Sequence, residues 1–554
     1  MSKTKKIALV IIFGLALFLR LYKLGEFPVG LLWDEAALGY NAYSILKTAK
    51  DEYGQFLPII FKSFGDYKPG FYIYLTVPAV AAFDLNEFSV RLPSALAGSL
   101  TVLLLALLIF EAMGKKYLNL ALIIGLVLAV NPWHINFSRG AWELNLMTFE
   151  LILGFWLVIK YLNSKKNFWL YASSLVFVLA LFTYQSAKAL IPALLLGFVF
   201  FFRKEVKSVP RKPKAVFLTI LGVSFLLFNL LTLGGKGGRL KVMSLFSYPR
   251  STEETAMIKE QDEGSYLAWL GFHSSPIFFT RSVLGRYLNH FSPKFLFFTG
   301  DWSNPRNGVA GHGLFYFSEI VLIILGLGAL FNRPRKPWEN FMLYWLVLAP
   351  LPSALTRDII SSVRSFTMVI PLVFIIASGI DSLLKFLANR NIVRRLSLIA
   401  LIITYALFCL RFLDFYFIHD PQINAQDRLV GYREMVNYIQ PLIEKKDKVV
   451  ITTKYGQPYI FYLFYTKFDP EEYQKIASLK ENEYGDVGQV ERIGKIEFRK
   501  VYWPDDRGIA NSLFVDNEFG LPIVDLLGYE DQFVVLKELA FPNGKTSFRI
   551  VETK

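Results

Sequence analysis

The sequence predicts a mainly α-helical integral membrane protein, and three features of the chain support that fold class. Hydrophobic residues make up 54% of the 554 residues and charged residues only 19%, whereas a soluble domain carries about 25% charge. Apolar runs of about 20 residues, the length that crosses a bilayer, recur along the chain. Lys and Arg lie in short clusters between these runs, although the formal net charge is +15. Because such clusters are a topology signal rather than a basic stripe, nucleic acid is excluded as a partner.

About eleven apolar runs are long enough to be transmembrane helices. The first run has the basic start of a signal peptide, but no small-x-small cleavage site follows it, so a retained signal-anchor helix is the favoured interpretation. The single cysteine, Cys409, excludes an internal disulfide. The runs begin near Ile7, Val90, Leu118, Leu146, Phe168, Ala189, Val216, Leu314, Phe341, Phe366 and Leu396.

The segments that join the runs predict the orientation of the chain. Short segments rich in Lys and Arg alternate with longer segments rich in Gly, Pro, Trp and acids. Short basic loops stay on the cytoplasmic side of a membrane. With an odd number of spans, the N-terminus is then cytoplasmic, the C-terminus is extracytoplasmic, and every basic cluster lies on the inner side. The sequence therefore predicts a multi-pass protein of the cell (plasma) membrane, surrounded by membrane lipid.

The predicted organisation has two parts, a transmembrane module over residues 1–415 and an extracytoplasmic α/β domain over residues 416–554. Within the module, the predicted outer loops cover residues 25–89, 134–145 and 234–313. In the tail, GYREMVNYIQPLIEKK has helical spacing. KVVITT, KIEFRKVYW and QFVVLKELAFPNGKTSFRIV have the composition of strands, the last segment being a pair joined at PNGK.

Charged residues of the first outer loop are candidates for chemistry. Asp34 and Glu35 open an amphipathic segment. Acids suit a helix N-terminus, so a simple helix start and a carboxylate held at the membrane surface are both open interpretations. Lys68 precedes Pro69 at the edge of an apolar stretch. A lysine in that place either extends its ammonium to the interface or binds a phosphate.

Three further charges lie at the mouths of predicted spans. Arg139 and Glu143 are four residues apart, which allows an ion pair on one helical face or an acid that faces a cavity. Arg364 lies just inside an apolar helix on the predicted outer side, where cations are disfavoured, so it has either an anionic ligand or a carboxylate partner. The histidines lack metal-binding spacing, and GGKGG at 234–238 lacks the Walker pattern. A nucleotide-using cytosolic active site is therefore disfavoured.

An ordered set of motifs over residues 7–415 resembles the GT-C glycosyltransferases, specifically glycosyltransferase family 39. That family contains the protein O-mannosyltransferases and the bacterial aminoarabinose transferase. The resemblance implies a GT-C bundle that transfers a sugar from a polyprenyl-phosphate donor to an acceptor protein, lipid or glycan. The motifs are, in order, LRLYKLG, WDE, a KP pair, EFSVRLPSALAG, SRGAWELNLMTF, TYQSAKALIP, HFSPKFLFFTGDW, GHGLFYFSEIVLIILGL and SVRSFTMVIPLVF.

The resemblance implies roles for three acids. Asp34 corresponds to the first-loop aspartate that family members use catalytically, here as general base on the acceptor hydroxyl in an inverting transfer. Glu143 corresponds to a second-loop acid that is commonly Asp in relatives, and Glu35 is a further catalytic candidate. A divalent metal ion near Asp34 and Glu143 is one implied means of stabilising the departing phosphate.

Three cations are candidates for binding the donor phosphate: Lys68, Arg364 and Arg139. Lys68 corresponds to a lysine that contacts the donor phosphate in the aminoarabinose transferase. In that enzyme Glu precedes the lysine, whereas this chain has Tyr67 there and Asp66 one place earlier. A phosphate that such cations stabilise can leave without taking up a proton.

Two other classes of protein are weighed against the enzyme. A transporter or flippase of lipid-linked sugars would place charges near the membrane midplane, often within repeats. In this sequence the acids lie in predicted outer loops, and no internal repeat is visible. A non-catalytic surface protein would need one anchoring span rather than about eleven. The sequence therefore favours an extracytoplasmic glycosyltransferase.

Overall fold

The computed structural model describes residues 3–232, 242–480, 487–529 and 531–554. Every apolar run predicted from the sequence contains a helix. The GGKGG segment, with the beginning of the predicted outer loop 234–313, lies outside the described residues.

The first half of the chain contains the helices α1 (Lys3–Leu21), α2 (Trp33–Thr48), α3 (Phe71–Phe83), α4 (Glu87–Met113), α5 (Leu118–Val130), α6 (Pro132–Arg139), α7 (Glu143–Ser164), α8 (Asn167–Leu181), α9 (Ala187–Phe201), α10 (Arg203–Lys207) and α11 (Arg211–Thr232). The second half contains α12 (Thr252–Gln261), α13 (Tyr266–Ala268), α14 (Ser275–Asn289), α15 (Glu319–Phe331), α16 (Pro337–Leu348), α17 (Leu351–Ala354), α18 (Val369–Phe386), α19 (Asn391–Asp414), α20 (Asp420–Ile423), α21 (Tyr432–Ile443), α22 (Pro458–Thr466), α23 (Pro470–Ile476) and α24 (Trp503–Asp506). The strands are β1 (Ile60–Ser63), β2 (Asp66–Pro69), β3 (Lys448–Ile451), β4 (Leu479–Lys480), β5 (Gln489–Val490), β6 (Arg492–Ile493), β7 (Ile496–Phe498), β8 (Ser512–Asp516), β9 (Phe533–Ala540) and β10 (Thr546–Thr553).

Several of these helices have the length and composition to cross a membrane. In addition to the five helices given at the end of this paragraph, the pair Lys115–Val130 and Pro132–Arg139, which is bent by 57°, is a candidate span. The shorter apolar helices are α3, α8, α9 and α15. These helices agree with a multi-pass membrane protein. The number of about eleven spans and the sidedness of the termini stay predictions. Within the described residues, five helices are long and apolar enough on their own: Glu87–Met113, Glu143–Ser164, Arg211–Thr232, Phe366–Phe386 and Asn391–Ile423.

The chain divides into two compact units that do not follow chain order. The first, here called the helical unit, comprises residues 1–13, 101–134 and 147–409. The second, here called the mixed unit, comprises residues 14–100, 135–146 and 410–554. The tail therefore belongs to the same unit as the first two predicted outer loops. The predicted domain boundary between residues 415 and 416 stays a prediction.

Small residues allow close helix packing in the helical unit. A Cβ on Gly326 of α15 would lie 2.0 Å from the carbonyl oxygen of Ile375, and a Cβ on Gly379 of α18 would lie 2.1 Å from that of Leu322. Glycines at such interfaces let two helix backbones approach in membrane proteins.

An aromatic cluster centred on Phe155 also packs α7 against its neighbours, with ring centroids 5.1–5.8 Å away at Phe177, Phe198, Phe341 and Trp345.

The mixed unit contains a six-stranded sheet in the order β6-β7-β3-β8-β10-β9. β3 is parallel to β7 and β8, and the other pairs are antiparallel. The strands predicted in KVVITT, KIEFRKVYW and the pair joined at PNGK are confirmed as β3, β7, β9 and β10. Helix α21 lies in the predicted helical segment. β8 was not predicted, although SLFVD is a short apolar run of the kind that a buried strand has.

The tail packs on the helix of the first predicted outer loop. The Tyr40 hydroxyl of α2 donates to the carbonyl oxygen of Phe468 at 3.1 Å. The Gln474 amide of α23 donates to Ser44 Oγ at 3.1 Å and to Thr48 Oγ1 at 3.0 Å. The middle of α2 is buried. The predicted helix in this loop is confirmed, but it is a packed element rather than a solvated one.

Candidate active site

The first predicted loop places two adjacent acids at the N-terminus of α2. Trp33 begins the helix, and Asp34 and Glu35 lie in its first turn. The backbone N–H of Leu32 donates to Glu35 Oε2 at 3.2 Å, which is the reciprocal bond of a capping box and explains why the helix begins here. The two acids have different surroundings, because the side chain of Asp34 is 40% exposed and that of Glu35 only 5%.

Lys68 reaches Asp34 from a short hairpin. β1 and β2 are antiparallel, with Phe61 opposite Lys68. Gly65 at the turn has φ +82°, a conformation that favours glycine. The ammonium of Lys68 forms an ion pair with Asp34 Oδ1 and lies 5.7 Å from the centre of the Phe64 ring. The pair thus joins an accessible carboxylate to a cation whose side chain is only 15% exposed.

Glu35 is engaged on both carboxylate oxygens by buried donors. Arg91 of α4 donates through Nε to Oε1 at 3.1 Å and through Nη2 to Oε2 at 3.2 Å. The backbone N–H of Ala141 donates to Oε1 at 2.9 Å. Arg91 also donates to the carbonyl oxygens of Leu24, Pro28 and Gly30. The ion pair therefore ties the start of α2 to α4 and to the turn before α7.

Arg139 caps the end of α1. Its Nη1 donates to the carbonyl oxygen of Leu19 at 2.9 Å, its Nη2 to that of Tyr22 at 2.7 Å, and its Nε to the Tyr416 hydroxyl at 3.2 Å. A cation suits the carbonyl end of a helix, where oxygens lack backbone partners. Arg139 ends α6 and Glu143 begins α7. Because the helix is interrupted between them, the two side chains do not lie on one helical face, as their four-residue spacing would allow.

Glu143 lies at the first position of α7 and is half-buried. The negative charges of Glu143 and Glu35 both act on the hydroxyl of Tyr72 in α3. The Tyr72 hydroxyl donates to the carbonyl oxygen of Val90 at 2.9 Å, next to Arg91. The structure therefore places all the predicted acids in the mixed unit, with Glu143 electrostatically close to the cluster around Glu35.

Arg364 lies in the helical unit and has a carboxylate partner there. Its Nη1 forms an ion pair with Asp358 and lies 3.4 Å from Thr356 Oγ1. Its backbone N–H donates to Ser361 Oγ at 3.3 Å. The sequence left an anionic ligand and a carboxylate as alternative partners of Arg364, and the structure has the carboxylate of Asp358. Among the predicted phosphate-binding cations, Lys68 is the one that pairs with Asp34.

The described residues provide no ready-made metal site. In residues 3–232, 242–480, 487–529 and 531–554, no three His, Cys, Asp or Glu side chains are grouped to hold an ion. Zinc sites in proteins usually have three or more such ligands. The Asp34 carboxylate is instead paired with the Lys68 ammonium. The divalent ion implied near Asp34 and Glu143 stays a prediction, and no catalytic step is assigned to one.

A buried acid near Lys68 was missed by the sequence analysis. Glu52 is fully buried, its Oε1 accepts from Asn41 Nδ2 at 3.1 Å, and its backbone N–H donates to Asn41 Oδ1 at 3.1 Å. Burial raises the pKa of Glu52 from 4.5 to about 8. The charge of Asp51 adds to this increase, whereas the hydrogen bond from Asn41 and the charge of Lys68 oppose it. Nothing in the local sequence distinguishes this acid from a solvated loop residue.

Replacing Glu52 with Gln should stabilise the protein more at pH 8.5 than at pH 5.5. The pKa of the Glu52 carboxyl is higher in the folded protein than in the unfolded chain. Its contribution to wild-type stability is therefore complete below pH 4.5 and is lost as the pH rises from there through about 8. Gln keeps a hydrogen bond to Asn41 and does not ionise. Melting temperatures of the protein in lipid at both pH values measure the effect. Glu444→Gln, at an exposed position, is the control, and equal shifts for Glu52→Gln at both pH values would contradict the expectation.

The helical unit contains a cavity with a basic and aromatic lining. Its volume is about 680 Å³, and its walls include Arg250, Arg281 and Arg286 beside Phe272 and Phe278. Guanidinium groups recognise phosphate through paired hydrogen bonds, and aromatic walls suit apolar chains. Arg250 is paired within the cavity with another wall residue, Glu254, at 3.2 Å.

Comparison with known protein families agrees with the fold. Residues 68–230 match the model of the family described as dolichyl-phosphate-mannose-protein mannosyltransferase. The matched segment begins at Lys68. This part of the chain is therefore similar to that glycosyltransferase family, and the resemblance to GT-C glycosyltransferases is confirmed.

Two similar proteins extend the comparison. The candidate mannosyltransferase YkcB of Bacillus subtilis is 28% identical over 216 residues, which are 38% of this chain and only 28% of YkcB. ArnT from Cupriavidus metallidurans, bound to undecaprenyl phosphate, is 13% identical with a TM-score of 0.51, and the match covers 99% of this chain and 97% of ArnT. The apo form of ArnT gives a TM-score of 0.50 at 13% identity, covering 99% and 96% of the two chains. At this identity, the likeness to ArnT shows a common fold.

Proposed function

We propose that the protein is an inverting glycosyltransferase that moves a sugar from a polyprenyl-phosphate donor to an acceptor on the extracytoplasmic side of the membrane. The observation that carries the proposal is the pair of Asp34 and Lys68, an accessible carboxylate held against a cation. A base for the acceptor proton and a cation for the leaving phosphate are the two charges that such a transfer needs. The family match that begins at Lys68 supports the same reaction class.

The donor class follows from the predicted topology and from the similar proteins. Nucleotide sugars are cytoplasmic, whereas the predicted topology places Asp34 outside, so a lipid must carry the sugar. The matched family is described by a dolichyl-phosphate-mannose donor, and ArnT binds undecaprenyl phosphate.

Donor binding changes the partner of Lys68 in the proposed mechanism. The donor phosphate displaces Asp34 from the ammonium, which makes the carboxylate available to the acceptor. Asp34 then takes the proton of the acceptor hydroxyl while that oxygen forms a bond to the anomeric carbon. The bond from the anomeric carbon to the phosphate oxygen breaks, and its electron pair leaves with the phosphate, which Lys68 stabilises. One displacement inverts the anomeric configuration.

The other predicted residues support this pair. Glu35 and Arg91 hold the start of α2 and thereby aim Asp34, so we assign Glu35 a positioning role in place of the catalytic one. Arg139 is occupied with helix carbonyl groups and Arg364 is paired with Asp358, so we assign the donor phosphate mainly to Lys68. Glu143 stays the candidate for a second acid near the sugar.

Turnover of a panel of polyprenyl-phosphate sugars tests the proposal. The purified protein in lipid should release or transfer the sugar of at least one undecaprenyl-phosphate hexose or pentose. Movement of a fluorescent lipid-linked sugar between the leaflets of proteoliposomes is measured in parallel. Transport without turnover of any donor would replace the enzyme by the alternative class, a flippase of lipid-linked sugars.

Replacing Lys68 with Met should lower transfer by roughly 10²–10³-fold, because it removes the cation that stabilises the leaving phosphate. Lys68→Arg keeps the charge and should retain part of the activity. The control is Lys62→Met on the same hairpin, where the ammonium lies 5.6 Å from the centre of the Tyr53 ring. The rate constant and KM for the donor are measured for each variant. Wild-type kcat/KM in Lys68→Met would remove this residue from the phosphate site.

A further inference from the structure

The sheet of the mixed unit has a topological switch point between β3 and β8. The chain passes from β3 to β7 on one side of β3 and then to β8 on its other side, and β3 is parallel to both. In open sheets with this strand order, ligands bind in the crevice outside the carboxyl ends of the strands at the switch point. The segments that leave these ends are residues 452–457 and 517–520.

Side chains from both segments meet at this crevice. Lys454 Nζ lies 3.3 Å from Asn517 Oδ1 and 4.5 Å from the centre of the Phe519 ring. Asn517 Nδ2 donates to the Tyr455 hydroxyl at 3.1 Å. Phe519 is 74% exposed, so packing in the core does not account for its position. The crevice therefore presents an aromatic ring beside a cation and a phenol, and the buried Asn517 holds the loop that carries the ring.

This combination of groups matches a saccharide. The C–H bonds on one face of a sugar ring are weakly positive and pack on the negative face of an aromatic ring such as Phe519. The Tyr455 hydroxyl can hydrogen-bond to a sugar hydroxyl. The Asn517 side chain is buried and holds the loop, since its Oδ1 accepts from the backbone N–H groups of Phe519 and Gly520 at 3.0 and 3.2 Å. Lys454 adds a charged donor, which favours a saccharide that carries a carboxylate or a phosphate.

The loop that follows β3 leads from this crevice to the candidate active site. Gly456 has φ +101°, and a Cβ there would lie 2.6 Å from Trp33 Cε3. Trp33 directly precedes Asp34 at the start of α2. Tyr455 of the crevice is thus one residue away from the contact with Trp33, so the loop that carries the crevice also packs on the start of α2.

We propose that this crevice, formed by Lys454, Tyr455, Asn517 and Phe519, binds the saccharide acceptor and favours an anionic one. The inference rests on the proposed function, because it names the acceptor class of the same transfer. It commits the acceptor to a glycan rather than to a protein side chain or a lipid headgroup. The tail then selects the acceptor, and the first outer loop performs the chemistry.

Binding of defined oligosaccharides to the full-length protein in nanodiscs tests the site. The probes are a hyaluronan tetrasaccharide, which carries carboxylates, and a neutral N-acetylglucosamine tetramer, each followed by titration calorimetry. Phe519→Ala should weaken binding of both probes about 3- to 10-fold. Lys454→Met should weaken the acidic probe by a similar factor and the neutral probe less. Lys537→Met, at an exposed position of β9, is the matched control and should bind both probes like the wild type.

Asp34→Asn separates this inference from the proposed function, because it should bind the probes like the wild type. Probe binding that depends on Phe519 and Lys454, in a protein that turns over no donor, would keep the saccharide site and overturn the transferase. Donor turnover in a protein that binds neither probe would overturn the saccharide site and keep the transferase. Equal binding by wild type, Phe519→Ala and Lys454→Met would also overturn the site.

Discussion

Asp34→Asn is expected to lower sugar transfer by about 10²–10⁴-fold, which is the usual contribution of a well-placed general base. Asn has the same shape and keeps a hydrogen-bond acceptor for Lys68, but it cannot take up the acceptor proton. The side chain of Asp34 is 40% exposed, so the substitution should leave insertion and folding intact. Transfer from the donor identified in the panel is measured together with the melting temperature.

The matched control for this variant is Asp531→Asn. Asp531 is an exposed carboxylate just before β9, and its replacement should leave transfer at the wild-type rate. A folded Asp34→Asn protein that transfers sugar at the wild-type rate would remove Asp34 from the mechanism. A large loss in Asp34→Asn, with an unchanged melting temperature and a normal control, is the expected pattern.

Arg91→Leu is expected to destabilise the folded protein by about 3–5 kcal/mol, because it leaves the buried carboxylate of Glu35 without its cation. The pair is almost fully removed from solvent, with side-chain exposures of 1% for Arg91 and 5% for Glu35. Two further hydrogen bonds to Glu35, from Leu32 and Ala141, depend on the same arrangement. A lower apparent melting temperature in lipid nanodiscs measures the loss.

The control for this prediction is an exposed ion pair in the same region. Lys23 and Glu26 lie 3.3 Å apart with exposures of 46% and 63%, and such pairs contribute about 0–1 kcal/mol. Glu26→Gln should therefore change the melting temperature little. Combining Glu35→Gln with Arg91→Leu should cost less than the sum of the single changes, by about 0.5–3 kcal/mol. Simple additivity, or an unchanged melting temperature for Arg91→Leu, would contradict the positioning role of this pair.

The sequence predicted the helices well because apolar length is a local property of the chain. Each apolar run contains a helix in the structure, and the strands β9 and β10 follow from alternating residues on both sides of PNGK. β8 was missed because its five residues resemble many short apolar runs. Only its pairing with β3 and β10 makes it a central strand.

The candidate site was predicted in part. Asp34 and Lys68 were both singled out from their loop, and the ion pair between them is a tertiary contact of α2 with the hairpin. Arg139 was predicted to bind phosphate, but its guanidinium meets carbonyl oxygens that end α1. That contact joins residues more than a hundred positions apart, so no spacing within the second loop indicates it. Glu52 was missed for the same reason, since its burial depends on packing.

The sequence by itself determined the class of the protein. Its apolar runs and basic clusters predict a multi-pass membrane protein, because these signals depend on residue type and spacing alone, and its ordered motifs resemble those of the GT-C glycosyltransferases. Only the tertiary structure decided which of two adjacent acids is available for chemistry. Asp34 stays accessible beside Lys68, whereas Arg91 and the backbone of Ala141 enclose Glu35. Exposure of a side chain is set by elements distant in the chain, and for that reason neighbouring residues of similar chemistry have different surroundings.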